Sequence, residues 1–316
     1  MIGVYVPAND AKQQIELIQQ AEKQGVPAFW LTTGGGAPDG PTLYAAAAMV
    51  TDRIKFGTSI TQTWPRHPVS LATQALALNS IAPGRFRFGL GAGHKTPIEG
   101  AYGMKYERPL RNLREYLTVL RTLLSTGEVD FHGTFISTTS KLPGAPINVP
   151  VMASALRPAS FRTCGELADG AISWVSPWNY LRDTALPAMR EGAAAAGRTV
   201  PPLVAHIPVV LVDDKSQARE LASSMLQRYA SLPNYQGMFA AAGFDDVAGE
   251  DRIAATDAIV ASGTETQVVS RLAEIIREGA GEIIAHPIDA GEDKAGYERR
   301  FFDVIAAANK EAGVAA

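Results

Sequence analysis

The chain of 316 residues is 46% hydrophobic, with a formal net charge of −3 and an isoelectric point near 6.0. That length suffices for one large domain or two small ones; the lack of a long basic run argues against nucleic acid as the main partner. No apolar stretch approaches the roughly 20 residues of a membrane span, so a membrane partner is not expected either. Residues 1–6 lack the basic start and long apolar stretch of a secretion signal and read as a first strand. The single Cys164 excludes an internal disulfide and fits a reducing cytoplasm.

Taken in chain order, short apolar strand candidates lie near 2–6, 28–32, 53–58, 85–90, 150–153, 170–174, 203–212 and 281–285. Longer helical stretches follow nearly every one, the pattern of a parallel sheet. A helix-like stretch over 69–81 joins the third and fourth strands. The strongest helix, 109–125, carries Leu110, Leu113, Leu117, Leu120 and Leu124 at spacings of three and four, with Gly127 as its stop. A hairpin around Gly133 and a Pro-rich connection interrupt the alternation near 128–148. A second insertion covers 231–262, where a substrate lid is a common use. Thr264 and Gln267 then have capping-box spacing for a helix through Val268, Leu272 and Ile275. Eight strand–helix units predict an α/β fold, a closed (β/α)8 TIM barrel forming one domain over 1–316. A doubly wound open sheet is the alternative.

In such a barrel, chemistry gathers at the carboxyl ends of the strands. The third and fourth strands both stop at small residues, Ser59-Ile60-Thr61 and Gly91-Ala92-Gly93-His94. Together they form a shelf where a flat ring can approach the backbone. Gly89-Leu90-Gly91-Ala92-Gly93 is a weak dinucleotide fingerprint, because His94 stands where its third glycine belongs and no clear helix follows. His94 can reach a pocket and exchange a proton near neutral pH. The other histidines show no metal-ligand spacing, and no metal is expected. His67 reads as orienting a helix start, His132 as a solvated hairpin residue and His206 as structural; for His286, pocket lining and packing stay open. Arg157, before Pro158 at a helix start, offers an anion contact or a surface ion pair. Trp64, Trp174 and Trp178 are either walls of an aromatic pocket or core. Cys164 reads as packing in a helix. No Gly-x-Ser-x-Gly elbow, nucleotide P-loop or His-Glu-x-x-His sequence is present.

Several stretches, in order, carry a family resemblance: Thr51-Asp52-Arg53-Ile54-Lys55-Phe56-Gly57-Thr58, Pro65-Arg66-His67-Pro68, Pro83-Gly84-Arg85-Phe86-Arg87-Phe88-Gly89-Leu90-Gly91-Ala92-Gly93-His94, Tyr106-Glu107-Arg108-Pro109, Arg114-Glu115-Tyr116-Leu117 and Gly165-Glu166-Leu167-Ala168-Asp169-Gly170. On them the chain resembles the bacterial luciferase-like superfamily, specifically its coenzyme F420-dependent oxidoreductase branch. The resemblance implies a (β/α)8 barrel, often a homodimer, that binds the deazaflavin F420 and moves a hydride to or from a small organic substrate. It implies a non-prolyl cis peptide at Ser59–Ile60, with the ring against Ser59, Ile60, Thr61, Ala92, Gly93 and His94. The cofactor's ribityl or phosphate chain would lie near Ser154, Ala155, Leu156 and Arg157, and the substrate near Trp64 and Trp174. His94 would handle the proton. The chain departs from many such relatives where they carry an acidic residue and His after the second strand; it has Thr32-Thr33-Gly34-Gly35-Gly36. It also carries His94 where some use Glu, and Arg157 where Gly is frequent. An FMN-dependent monooxygenase of the same superfamily, a non-catalytic flavin- or deazaflavin-binding relative, and an unrelated barrel lyase or isomerase are the alternatives.

Overall fold

The computed structural model describes residues 1–34, 38–289, 291 and 293–314. Eight parallel strands form the barrel: β1 (Ile2–Val4), β2 (Ala28–Thr33), β3 (Lys55–Gln62), β4 (Phe86–Gly91), β5 (Val151–Ser154), β6 (Ala171–Ser173), β7 (Leu203–Val210) and β8 (Glu282–Pro287). Each pairs with the next, and β1 closes on β8 with Ile2 opposite Ile283. That closure decides against the open sheet. The strands are buried on both faces, so they read as near-continuous apolar runs; β7 is buried over its whole length.

Helices cover the outside. Pro109–Thr126 buries Leu113, Leu117, Leu120 and Leu124, and Gly127 ends it at φ +83°. Thr264 and Gln267 cap Glu265–Arg277 reciprocally, with Thr264 N–H donating to Gln267 Oε1 at 2.9 Å. The first insertion is an antiparallel hairpin, Glu128–His132 against Ser137–Lys141. The buried Glu115 carboxylate holds its turn, accepting from the N–H groups of Thr134, Phe135 and Ile136 at 2.7–3.1 Å. Those bonds favour the ionised form and keep Glu115 below the usual carboxylate range, against the opposing effect of its burial. The second insertion contains helices Pro233–Ala241 and Arg252–Ile259 and a short strand, Ala261–Ser262, that pairs with β7.

The amino-terminal half of the barrel interior is solidly filled. Arg87 and Glu282 form a bidentate pair there at 2.5 and 2.6 Å. Trp30 Nε1 donates to the same carboxylate at 3.1 Å, and the guanidinium stacks 4.3 Å above the Trp30 ring. Ala28, Met152, Ile172, Val204 and Ile284 complete this plug. The open end of the barrel interior is thereby its carboxyl-terminal mouth. Among the described residues no helix is long and apolar enough to cross a membrane.

Candidate active site

The site is built on an irregularity in β3. Gly57 lies opposite Arg87, but Thr61 lies opposite Leu90, so β3 carries one more residue than β4 over this stretch. Its pairing with β2 shifts at the same place. The peptide at Ser59–Ile60 is cis and non-prolyl. A bulge re-aims the chain at a strand end, and neighbouring side chains secure it. Thr58 Oγ1 accepts from Gly89 N–H and donates to Gly89 carbonyl oxygen, both at 2.9 Å. Thr32 Oγ1 donates to the Ser59 carbonyl at 3.1 Å. Thr32 thus has a definite role where the expected acidic residue is missing. Gly35 and Gly36 lie outside the described residues.

The exit of β4 must be bare for this arrangement to exist. A Cβ on Gly91 would stand 2.5 Å from Ser154 Oγ and 3.0 Å from Ile60 Cδ1. Glycine therefore lets the exits of β3, β4 and β5 converge. Ser59, Ile60, Ala92, Gly93 and Ser154 are half-buried, so the ledge stays accessible, whereas Thr61 and Ala155 are buried. Buried polar atoms without a protein partner gather around this mouth: Ser59 Oγ, Thr61 Oγ1, Gln62 Oε1, Trp64 Nε1, His206 Nε2 and His286 Nδ1. Buried donors and acceptors are normally satisfied, so such a concentration marks a surface shaped for a polar ligand.

His94 stands at the rim, exposed, with its ring 6.3 Å from Tyr229 and 6.5 Å from Tyr235. Tyr229 ends helix Lys215–Ala230 and Tyr235 begins the second insertion, so these helices reach over the mouth. Desolvation by this packing, and secondarily the charge of Arg228, holds the His94 imidazole below its usual value. One expectation is corrected: a helix, Lys95–Tyr102, does start directly after His94. Pro97 falls in its first turn, where a missing N–H costs nothing.

The aromatic residues divide. Trp174 lies in the mouth against His206, His286 and Tyr229. Trp64 lies on the hairpin side, against Tyr106 and Phe135, and reaches the ledge through Tyr106, whose hydroxyl donates to the Gly93 carbonyl at 2.9 Å. Trp178 is buried in the core, donating to Glu278, and is no pocket wall. At the β5 exit, Leu156 is half-buried and Arg157 exposed. Ser160 Oγ accepts from the N–H groups of both, so the guanidinium is what Arg157 offers an anion. That side chain lies against Gly237 of the insertion, where a Cβ would collide with it.

Elsewhere, His67 Nδ1 accepts from Val69 N–H at its helix start, and His132 is exposed on the hairpin beside Ser137. Cys164 is fully buried and its thiol is pushed up to about 12, which leaves no thiolate at neutral pH. A cleft of about 700 Å³ lies on the opposite, amino-terminal face. Its Arg85 and Arg121 hold Thr51 and Asp169, Arg87 holds Glu282, and Lys55 also lines it. Sequence reasoning missed Gln62, which directly follows Thr61 on β3, and Tyr5, Tyr229 and Tyr235, which converge on the mouth through long-range packing.

The sequence pattern of the luciferase-like monooxygenase family matches residues 2–282, and the chain belongs to that family. The 5,10-methylenetetrahydromethanopterin reductase of Methanolobus tindarius is 26% identical over 92% of this chain and 95% of its own length. The F420-dependent glucose-6-phosphate dehydrogenase of Beutenbergia cavernae is 33% identical over 62% and 60%, respectively. Among solved structures, the F420-dependent tetrahydromethanopterin reductase of Methanopyrus kandleri superposes with a TM-score of 0.78 at 22% identity, covering 95% of this chain and 96% of its own. The FMN complex of the oxygenating constituent of 3,6-diketocamphane monooxygenase from Pseudomonas putida gives 0.76 at 19% identity, covering 98% and 97%. At these identities the structural likeness establishes the fold.

Proposed function

We propose that this chain is an F420-dependent oxidoreductase that transfers a hydride between the deazaflavin and a small organic substrate. The observation that carries the reading is the ledge: a bulged β3 and a glycine-lined β4 exit converge, leaving accessible backbone ringed by unpartnered polar atoms. The sequence relative named for F420 dependence supports the choice of cofactor. Ser59, Ile60, Thr61, Ala92 and Gly93 would hold the ring, and Ser154, Ala155, Leu156 and Arg157 the polar chain leading from it. When bound, the deazaflavin supplies the hydride chemistry.

The protein's own part is to bind, orient and keep water out. The helices carrying Tyr229 and Tyr235 cover the mouth; His94 holds or accepts the accompanying proton. An imidazole held below its usual value is neutral at pH 7 and suited to take a proton from a substrate hydroxyl. The surroundings proposed for this chemistry are the cytoplasm, and the proposed assembly is a homodimer.

Titrating the protein with F420, FMN and NAD(P)H, followed by fluorescence, tests the assignment. Saturable binding of F420, with FMN and the nicotinamides weaker, is the expected result. Preferential FMN binding would move the chain to the oxygen-using side of its family. Failure of all three would remove the redox reading.

A further inference from the structure

We propose that His206 and His286 form the polar wall of the substrate chamber and hydrogen-bond the hydroxyl or carbonyl oxygen of an organic substrate that carries no net charge, while Trp174 and Tyr5 hold its apolar part. The proposal deepens the oxidoreductase reading and rests on it for the position of the reacting carbon.

Strand periodicity places the pair. Side chains two apart on a strand share a face. Ile172, Val204 and Ile284 point into the barrel and belong to its apolar plug. Two residues further along stand His206 and His286, on their strands, and Trp174, just past the end of β6; they form the next layer towards the mouth. The register sets His206 opposite Ile284 and His286 opposite Pro208, so the two histidines are diagonal neighbours on adjacent strands. Ring contacts close the layer: Trp174 to His206 at 4.3 Å, His206 to His286 at 6.0 Å, and Tyr5 to the two histidines at 5.5 and 5.1 Å. Tyr229 lies 5.9 Å from Trp174 and links this layer to His94 at the rim.

The buried polar groups of the plug beneath, Arg87, Glu282 and Trp30 Nε1, bond one another; the two histidine rings have no such mutual bonds. His206 is only 5% exposed, yet its Nε2 has no protein partner, and neither has the buried Nδ1 of His286. A buried ring nitrogen left unpaired is costly unless a ligand completes it. Desolvation pushes His286 down to about 4, with the Tyr5 backbone opposing; desolvation, then His286, holds His206 well below its usual value. Uncharged imidazoles can donate or accept, but they give an anionic substrate no counter-charge.

The test uses full-length protein with ¹⁵N-labelled histidine rings, without cofactor and after loading with F420. Cyclohexanol and benzyl alcohol are the uncharged probes and glucose 6-phosphate is the anionic one. The His206 and His286 ring signals are expected to shift saturably with the alcohols and to stay unmoved by the phosphate ester. His206→Phe and His286→Phe should each weaken alcohol binding about tenfold, the equivalent of one lost hydrogen bond. His206→Gln and His286→Gln should recover part of that loss, and F420 affinity should change little in any variant. Ring signals that ignore both alcohols, or Gln variants no better than Phe, overturn the proposal even where F420 binds. Alcohol binding to the pair without F420 binding would instead retain the chamber and sink the cofactor assignment.

Discussion

Replacing His94 with alanine is expected to lower turnover by about 10²–10⁴-fold, the usual contribution of a positioned acid–base group, while F420 affinity changes little. The separation follows from where the residue stands. His94 is at the rim, facing Tyr229 and Tyr235, whereas the bare backbone proposed to hold the ring is supplied by its neighbours Ala92 and Gly93. Losing the imidazole removes a proton carrier without refilling the ledge. The pH profile supplies a second readout. The His94 imidazole is held below its ordinary value, so its neutral form persists to lower pH than a free imidazole's. In the oxidative direction, activity should be constant through neutrality and fall only as pH drops below about 6.5, the unperturbed histidine value. The alanine variant should lose that limb. Turnover at the wild-type level in the variant would remove His94 from the mechanism.

The second large effect concerns the plug. Glu282→Ala should destabilise the fold by about 3–5 kcal/mol, measured by urea unfolding, because it leaves the Arg87 guanidinium buried without a counter-charge. Trp30 Nε1 loses its acceptor in the same step. The pair is 9% and 4% exposed at its side chains, so solvent cannot take over the charge. A double variant, Arg87→Met with Glu282→Leu, should recover most of the loss, since with both charges gone only packing and the unpaired Trp30 N–H remain. A single variant that loses less than about 1 kcal/mol would show the charge to be hydrated after all.

The barrel was legible because its determinants are local. Alternating apolar runs and amphipathic stretches recur along the chain, and the capping pair Thr264 and Gln267 and the stop at Gly127 announce themselves within a few residues. The ledge was legible for the same reason: Gly91, Ala92 and Gly93 follow one another at a strand exit. The plug was not, because Arg87 and Glu282 stand 195 residues apart and no periodicity links them. Tyr229 and Tyr235 were hidden similarly, their approach to His94 being set by how two helices fold back over the mouth. Trp178 stayed open between wall and core because residue type and nearness to a strand end do not say which way a side chain turns; it turns to Glu278. The helix after His94 was missed at Pro97, a residue that breaks helix interiors but suits a first turn.

The most direct test of the account is a crystal structure of the F420 complex. The deazaflavin ring should lie against Ser59–Ile60 and Ala92–Gly93, with its polar chain running towards Ser154 and Arg157. Density for the ring in the amino-terminal cleft beside Arg85 and Arg121, or a ledge closed over by its own side chains with F420 bound elsewhere, would contradict it.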